Sequence, residues 1–214
     1  MKTERLKKDF EHFILQKNHP CVMAQSVFNL ESVVLNDYER MIDINKSYQL
    51  LNDLEAYLKN YNFESKEFQS FIAVFSKEQI PSEEQFEKLL WQQLQMLSEL
   101  DTKPWDTSVN ADPDHENFSF SLLGKSFYMV GMHPESSRFA RQSPYPALVF
   151  NLHAQFEMLR DMGTYQHVKK RIRKRDEALQ GFINPMLEDF GAQSEARQYS
   201  GREVKKNWKC PFHH

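Results

Sequence analysis

Apolar residues recur at helical spacing along several stretches of this chain and at alternate positions along others. Leu6, Phe10, Phe13 and Ile14 fall on one side of a helix predicted over 3–16, ended by Asn18-His19-Pro20. Leu50, Leu51, Leu54, Tyr57 and Leu58 place a second helix over 45–60. The clearest helix follows Ile80-Pro81. Ser82 and Gln85 form a capping-box pair, and Glu83 and Glu84 suit the positive end of the helix dipole. Phe86, Leu89, Leu90, Leu94 and Leu97 then keep helical spacing as far as Leu100. Two more helices are predicted, one carrying His153, Phe156, Glu157 and Arg160, the other over 165–179 and stopped by Gly181.

Extended segments are read from alternation and from β-branched or aromatic runs. Residues 21–35 read as mostly extended, with Val27-Phe28 and Val33-Val34-Leu35 as strand pieces. Phe68 to Phe75 suits a buried strand. Phe118 to Leu122 alternates strictly and Phe127 to Val130 returns, with Gly124-Lys125 as the predicted hairpin turn. Leu148-Val149-Phe150 leads into the helix of His153. Residues 101–116 and the chain from Asn184 onward read as irregular. Together these elements predict an α+β fold, a mixed or antiparallel sheet flanked by helices, in one domain over 1–214.

Composition narrows the functional classes. A chain of 214 residues with 40% hydrophobic and 27% charged residues carries a real core and is not disordered. Its net charge of -3 argues against a nucleic-acid partner. The basic run from Lys169 to Arg175 is followed by Asp176 and Glu177 and reads as a solvated or anion-binding helix face. No apolar stretch approaches the ~18 residues of a membrane span. The charged start Met1-Lys2-Thr3-Glu4-Arg5 has no leader-like apolar region, so a cytoplasmic setting is predicted, with Cys21 and Cys210 as thiols. The chain shows no Gly-rich phosphate loop, Gly-x-Gly-x-x-Gly fingerprint, nucleophile elbow or zinc-protease His pair.

Chemistry concentrates between Phe118 and Phe212, where polar and reactive residues crowd beside aromatic core formers. His133 ends a predicted strand and is followed by Pro134. A neutral imidazole there binds a metal or acts as a base, or is simply a loop histidine bonded to backbone. His153 and Glu157 are four apart, a spacing that lets a carboxylate hold an imidazole tautomer and that also describes an ordinary polar pair. Arg138 and Arg141 offer planar forks for carboxylates, whether of a ligand or of neighbouring acids. Glu188, Asp189 and Glu195 lie among Arg197, Tyr199 and Arg202, as binders of a cationic nitrogen or as members of a structural ion network. Cys21 and Cys210 are either thiolate ligands or small buried hydrophobes. Absence of Cys-x-x-Cys-His means that any heme is held without thioether bonds.

These runs, taken together and in order, resemble the YqcI/YcgG family. The resemblance covers most of the chain. It includes Pro20-Cys21, Ser70 to Phe75, Phe86-Glu87 with Leu90-Trp91, Pro104-Trp105-Asp106, Asp112-Pro113-Asp114 and Phe118 to Ser121. It continues through Gly131 to Arg141, Asn151 to Glu157, Asn184 to Gly191, Ser194 to Arg202, and Trp208 to Phe212. Two positions depart from the family pattern: Gln142 stands where a second arginine is expected, and His19 where an aromatic residue is more usual.

The resemblance implies a heme-dependent monooxygenase that N-hydroxylates a guanidine or amine nitrogen of a small cationic substrate such as arginine. Members of this kind act in D-cycloserine and guanitoxin biosynthesis. It implies one non-covalent b-type heme, O2, and an external electron donor. The iron ligand would be His133 first or His153 second. Arg138, Arg141, Arg197 and Arg202 would hold the propionates, and Glu195 and Asp189 would orient the substrate. The alternative is a heme-binding sensor, carrier or peroxide-handling protein without hydroxylase activity. A third reading is a non-heme metal site built from Cys21, Cys210 and histidine.

Overall fold

The computed structural model describes residues 2–16 and 19–214. Among these residues five strands form one mixed sheet in the order β1-β2-β5-β4-β3: β1 (Val33–Asp37), β2 (Ser70–Val74), β3 (Phe120–Leu122), β4 (Lys125–Met132) and β5 (Ala147–Leu152). Only β1 and β2 run parallel, so the α+β expectation holds. Side-chain alternation divides the sheet into two faces, each with its own helices.

One face carries Phe71, Ala73, Phe127, Met129, Leu148 and Phe150. It packs under α3 (Ile44–Asn60) and α4 (Glu83–Leu100). Asp43 caps α3 by accepting from the Asn45 and Lys46 N–H groups, and Ser82 caps α4 by accepting from Gln85 N–H. Gly131 lets α4 lie close to β4. A Cβ there would come within 2.7 Å of Leu90 and Phe86 side-chain carbons and 2.8 Å of the Tyr199 carbonyl oxygen.

The other face carries Ile72, Val74, Met132, Ala147 and Val149. It meets α1 (Lys2–Glu11), the π-helical turn His12–Gln16 and α2 (Val22–Asn29). Here the expected extended segment at 21–35 is corrected. Only Val33–Asp37 is strand, and Val22–Asn29 is helix. Cys21 begins that helix with an unusual cap, its Sγ accepting from Ala24 N–H at 3.4 Å. Val27 and Phe28, read as a strand piece, are instead the buried side of an amphipathic turn. Lys17 and Asn18, at the expected end of the first helix, lie outside the described residues.

The hairpin turn also sits one residue earlier than predicted. Leu122 pairs with Lys125, leaving Leu123 and Gly124 as the loop, with φ of 55° and 70°. Two consecutive positive φ values match the strand twist, and glycine takes the second at no steric cost. After β5 the chain turns directly into α5 (His153–Asp161) and then α6 (Tyr165–Gln180), which Gly181 ends with φ of 88°. The tail, read as irregular, contains a short helix α7 (Ala196–Tyr199) that plugs the β3/β4 end of the sheet through the fully buried Tyr199. No helix among the described residues is long and apolar enough to cross a membrane.

Candidate functional site

The second face of the sheet is incompletely filled. A cavity of ≈ 300 Å³ opens between the sheet and α6, near the lower end of small-molecule sites, ~300–1,000 Å³. Its floor is Tyr128, Val130 and Met132 of β4, Val149 and Asn151 of β5, and Ile72 of β2. Its roof is the inner side of α6, with Val168, Ile172, Lys169 and Arg173, and the segment Leu187–Phe190. The walls are mainly apolar. The polar groups that reach it include His153, Glu195, Arg138, Arg141, His19 and Cys21.

His153 heads α5, two residues beyond Asn151, and is 5% exposed. Its Nε2 has no hydrogen-bond partner among the described residues. The expected pairing with Glu157 is loose: Glu157 Oε1 lies 3.7 Å from Nε2 and is taken instead by Arg160. Phe190 packs edge-on against the imidazole, with ring centroids 4.4 Å apart. Burial holds the His153 pKa below the ordinary value, against the pull of Glu157, which keeps the ring neutral.

Two arginines of the same cavity are held differently. Arg138 Nη2 donates to Asp176 of α6 at 2.6 Å, while Nη1 is buried and has no hydrogen-bond partner among the described residues. Arg141 sits in the 3₁₀ turn Phe139–Arg141 and donates to the carbonyls of Gly131, Gln198 and Tyr199. Burial lowers its pKa, but a guanidinium stays charged from an ordinary value of 12.5.

Glu195 is 4% exposed and accepts from the Tyr199 hydroxyl at 3.3 Å. Burial pushes its pKa up to about 8, so the carboxyl is largely protonated at neutral pH. Asp189 behaves oppositely. Burial would raise its pKa, but hydrogen bonds from Lys169 at 2.5 Å and Tyr165 at 3.1 Å outweigh this and lower it. Asp189 is thus an ionised partner of the roof rather than an open acceptor.

His133 does not reach the cavity. Along β4, Tyr128, Val130 and Met132 face the floor while Met129 and Gly131 face α4. His133 continues the second set. It is fully buried and packs against Phe86 of α4, ring centroids 4.3 Å apart, with neither ring nitrogen bonded among the described residues. Arg197 and Arg202 also lie elsewhere. Arg197 packs on Trp208 and donates to the Lys205 carbonyl, and Arg202 pairs with Glu87 of α4. Cys210 belongs to the α4-side core, so it does not share a site with Cys21. Among the described residues no three His, Cys, Asp or Glu side chains converge to hold a metal ion. His19 lines the cavity with both nitrogens used, Nε2 donating to the Ala140 carbonyl at 2.9 Å and Nδ1 accepting from Cys21 N–H at 3.3 Å.

The chain matches the sequence profile of the YqcI/YcgG family over residues 10–213. It belongs to that family. Two YqcI/YcgG relatives from Bacillus subtilis (strain 168) are similar to it. The uncharacterized protein YcgG is 31% identical over 135 residues, 60% of this chain and 53% of that protein. The uncharacterized protein YqcI is 27% identical over 212 residues, 92% of this chain and 81% of that protein. This chain therefore spans about half of one YqcI/YcgG relative and about four-fifths of the other. No solved structure matches it.

Sequence reasoning missed several cavity residues, among them Tyr128, Asn151, Lys169, Asp176 and Gln198. Strand parity could have found the first two, because Tyr128 and Asn151 are cross-strand partners on one face.

Proposed function

We propose that this YqcI/YcgG protein is a heme-dependent N-hydroxylase acting on a guanidine or amine nitrogen of a small cationic substrate. The observation that carries the reading is a pair of buried nitrogens without hydrogen-bond partners among the described residues, His153 Nε2 and Arg138 Nη1, on residues that line one largely apolar cavity. Buried polar atoms are nearly always satisfied, so two on residues that line one cavity point to a ligand. A b-type heme uses such a set: an imidazole for the iron, a cation for a propionate, and apolar walls for the macrocycle.

His153, neutral because buried, would present its Nε2 lone pair as the iron ligand. Arg138 would hold a propionate through Nη1, with Asp176 fixing the other end of the guanidinium. Seating a macrocycle in so small a cavity means lifting the roof, including Phe190, from the imidazole. Bound heme supplies O2 activation with externally delivered electrons. Glu195 handles the substrate. Alone it keeps its proton, but a cationic nitrogen against it favours the carboxylate, so substrate binding expels a proton and makes a charge-assisted hydrogen bond. The apolar walls exclude water from the reacting nitrogen.

Absorption spectroscopy of hemin-supplemented protein tests the reading. A stoichiometric Soret band that shifts under CO after reduction, followed by N-hydroxylation of arginine or a related amine, is the expected result. A Soret band without turnover across such amines supports a heme sensor or carrier instead. No Soret band with hemin in excess removes heme from the account.

A further inference from the structure

We propose that the outer face of α6 is the docking surface for an acidic electron-transfer protein. The proposal rests on the N-hydroxylase reading, which needs electrons from outside a chain that has no flavin or nicotinamide fingerprint.

The basic residues of α6 divide into two sets. Lys169, Arg173 and Arg175 are partly buried and committed to the roof. They donate to Asp189, the Leu187 carbonyl and the His19 carbonyl. Lys170, Arg171 and Lys174 are exposed and have no carboxylate partner among the described residues. With exposed His167 they stand at i, i+3, i+4 and i+7, one continuous stripe along the helix, closed by Glu177. A fold built with three of these cations does not need the other three at that spacing.

The stripe stands out because the chain as a whole carries a net charge of -3. Its field is therefore local and directional, the kind that orients an oppositely charged partner and speeds encounter. Place matters as much as charge. The same helix lines the cavity with Val168 and Ile172 on its inner side, so a partner on the stripe is one helix diameter, ~10–12 Å, from the heme site. Apolar contacts are available at both ends of α6. Met162 precedes it at 46% exposure, and Phe182 and Ile183 follow it at 52% and 40%. Complementary charge around small apolar contacts suits a weak, electrostatically steered encounter. The anionic chain and the absence of aromatics within the stripe disfavour nucleic acid.

The test uses the full chain, an acidic plant-type ferredoxin as probe, and the variant Lys170→Glu/Arg171→Glu/Lys174→Glu. Association is measured by titration calorimetry, with and without heme. The expected result is binding that weakens at least about tenfold between about 10 and about 100 mM salt, as screening lengths shorten from ~30 to ~10 Å. The variant should lose it with an unchanged melting temperature, while Lys170→Arg/Lys174→Arg keeps it. In heme-loaded protein, ferredoxin should reduce the variant's heme at least about tenfold more slowly, with dithionite reduction unchanged. Wild-type protein that ignores ferredoxin, a variant that binds it equally well, or equal affinity for duplex DNA or anionic vesicles overturns the proposal. Failure to take up heme sinks the hydroxylase reading separately, because the binding titration is scored without it.

Discussion

The imidazole of His133 lies 4.3 Å from the ring of Phe86, on the side of the sheet away from the cavity. Burial in this apolar packing pushes its pKa down to about 4 from the ordinary 6.5. The unfolded chain therefore takes up this proton first. The contribution of His133 to stability is complete above pH 6.5 and is lost as pH falls towards 4. A side chain that cannot take up a proton removes that loss. His133→Phe should melt higher than wild type at pH 5 in a thermal scan, with an unchanged Soret band. A vanished Soret band would return His133 to the role of iron ligand.

His153 carries the opposite expectation. His153→Ala should abolish or shift the Soret band while leaving the far-ultraviolet circular dichroism intact, and added imidazole should restore the spectrum. A wild-type spectrum in the variant removes His153 as ligand.

Glu195 ties the proposed substrate contact to pH. Its folded pKa of about 8 lies above the ordinary 4.5, so its contribution to stability is complete below 4.5 and declines as pH rises through 8. Glu195→Gln keeps the shape and cannot ionise. Denaturant titrations should show a smaller loss of stability from pH 5 to pH 8 than in wild type. Heme should be retained, and kcat/KM for a cationic amine should fall about 10–100-fold, the range of a charge-assisted hydrogen bond. Unchanged kcat/KM would free Glu195 of any part in binding.

The Arg138–Asp176 pair joins the loop after β4 to α6, and both side chains are almost wholly buried. Asp176→Ala leaves the guanidinium without its counter-charge. A loss of about 3–5 kcal/mol in denaturant unfolding is expected. A loss below about 1 kcal/mol would mean that solvent reaches the pair as it reaches surface ion pairs.

Gly131 tests the packing between sheet and helix. A methyl group there meets Leu90, Phe86 and the Tyr199 carbonyl at under 3.0 Å, and a backbone oxygen does not swing aside. Gly131→Ala should cost about 1–3 kcal/mol by equilibrium unfolding, the range for overpacked cores. A neutral result would mean that α4 and α7 shift easily relative to β4.

Periodicity was enough to read α3 and α4, because each has a capping residue and a regular apolar stripe, while Gly181 marks the end of α6. It was not enough for α2. That helix is short, its cap is a cysteine, and Val27-Phe28 looks equally apolar at either period. The cavity was half legible. His153, Glu195, Arg138 and Arg141 sit in the crowded second half of the chain and do reach it. His133 looked equivalent by composition, yet parity along β4 sends it with Met129 and Gly131 to the other face. Arg197 and Arg202 were separated from Arg141 by tertiary contacts with Trp208 and Glu87, which no local spacing reveals.

Asp176 is the only fully buried residue of α6, and polar bonds at Asp189, Leu187 and His19 help secure that helix. The sheet, by contrast, is locked by interdigitated aromatics on its α4 side. Amide protons of α6 and of residues 181–191 should therefore trade with deuterium long before those of β2, β4 and β5. A molecule lodged beneath the helix would slow that trade in this segment alone, so occupancy can be read from isotope uptake even before the occupant is known.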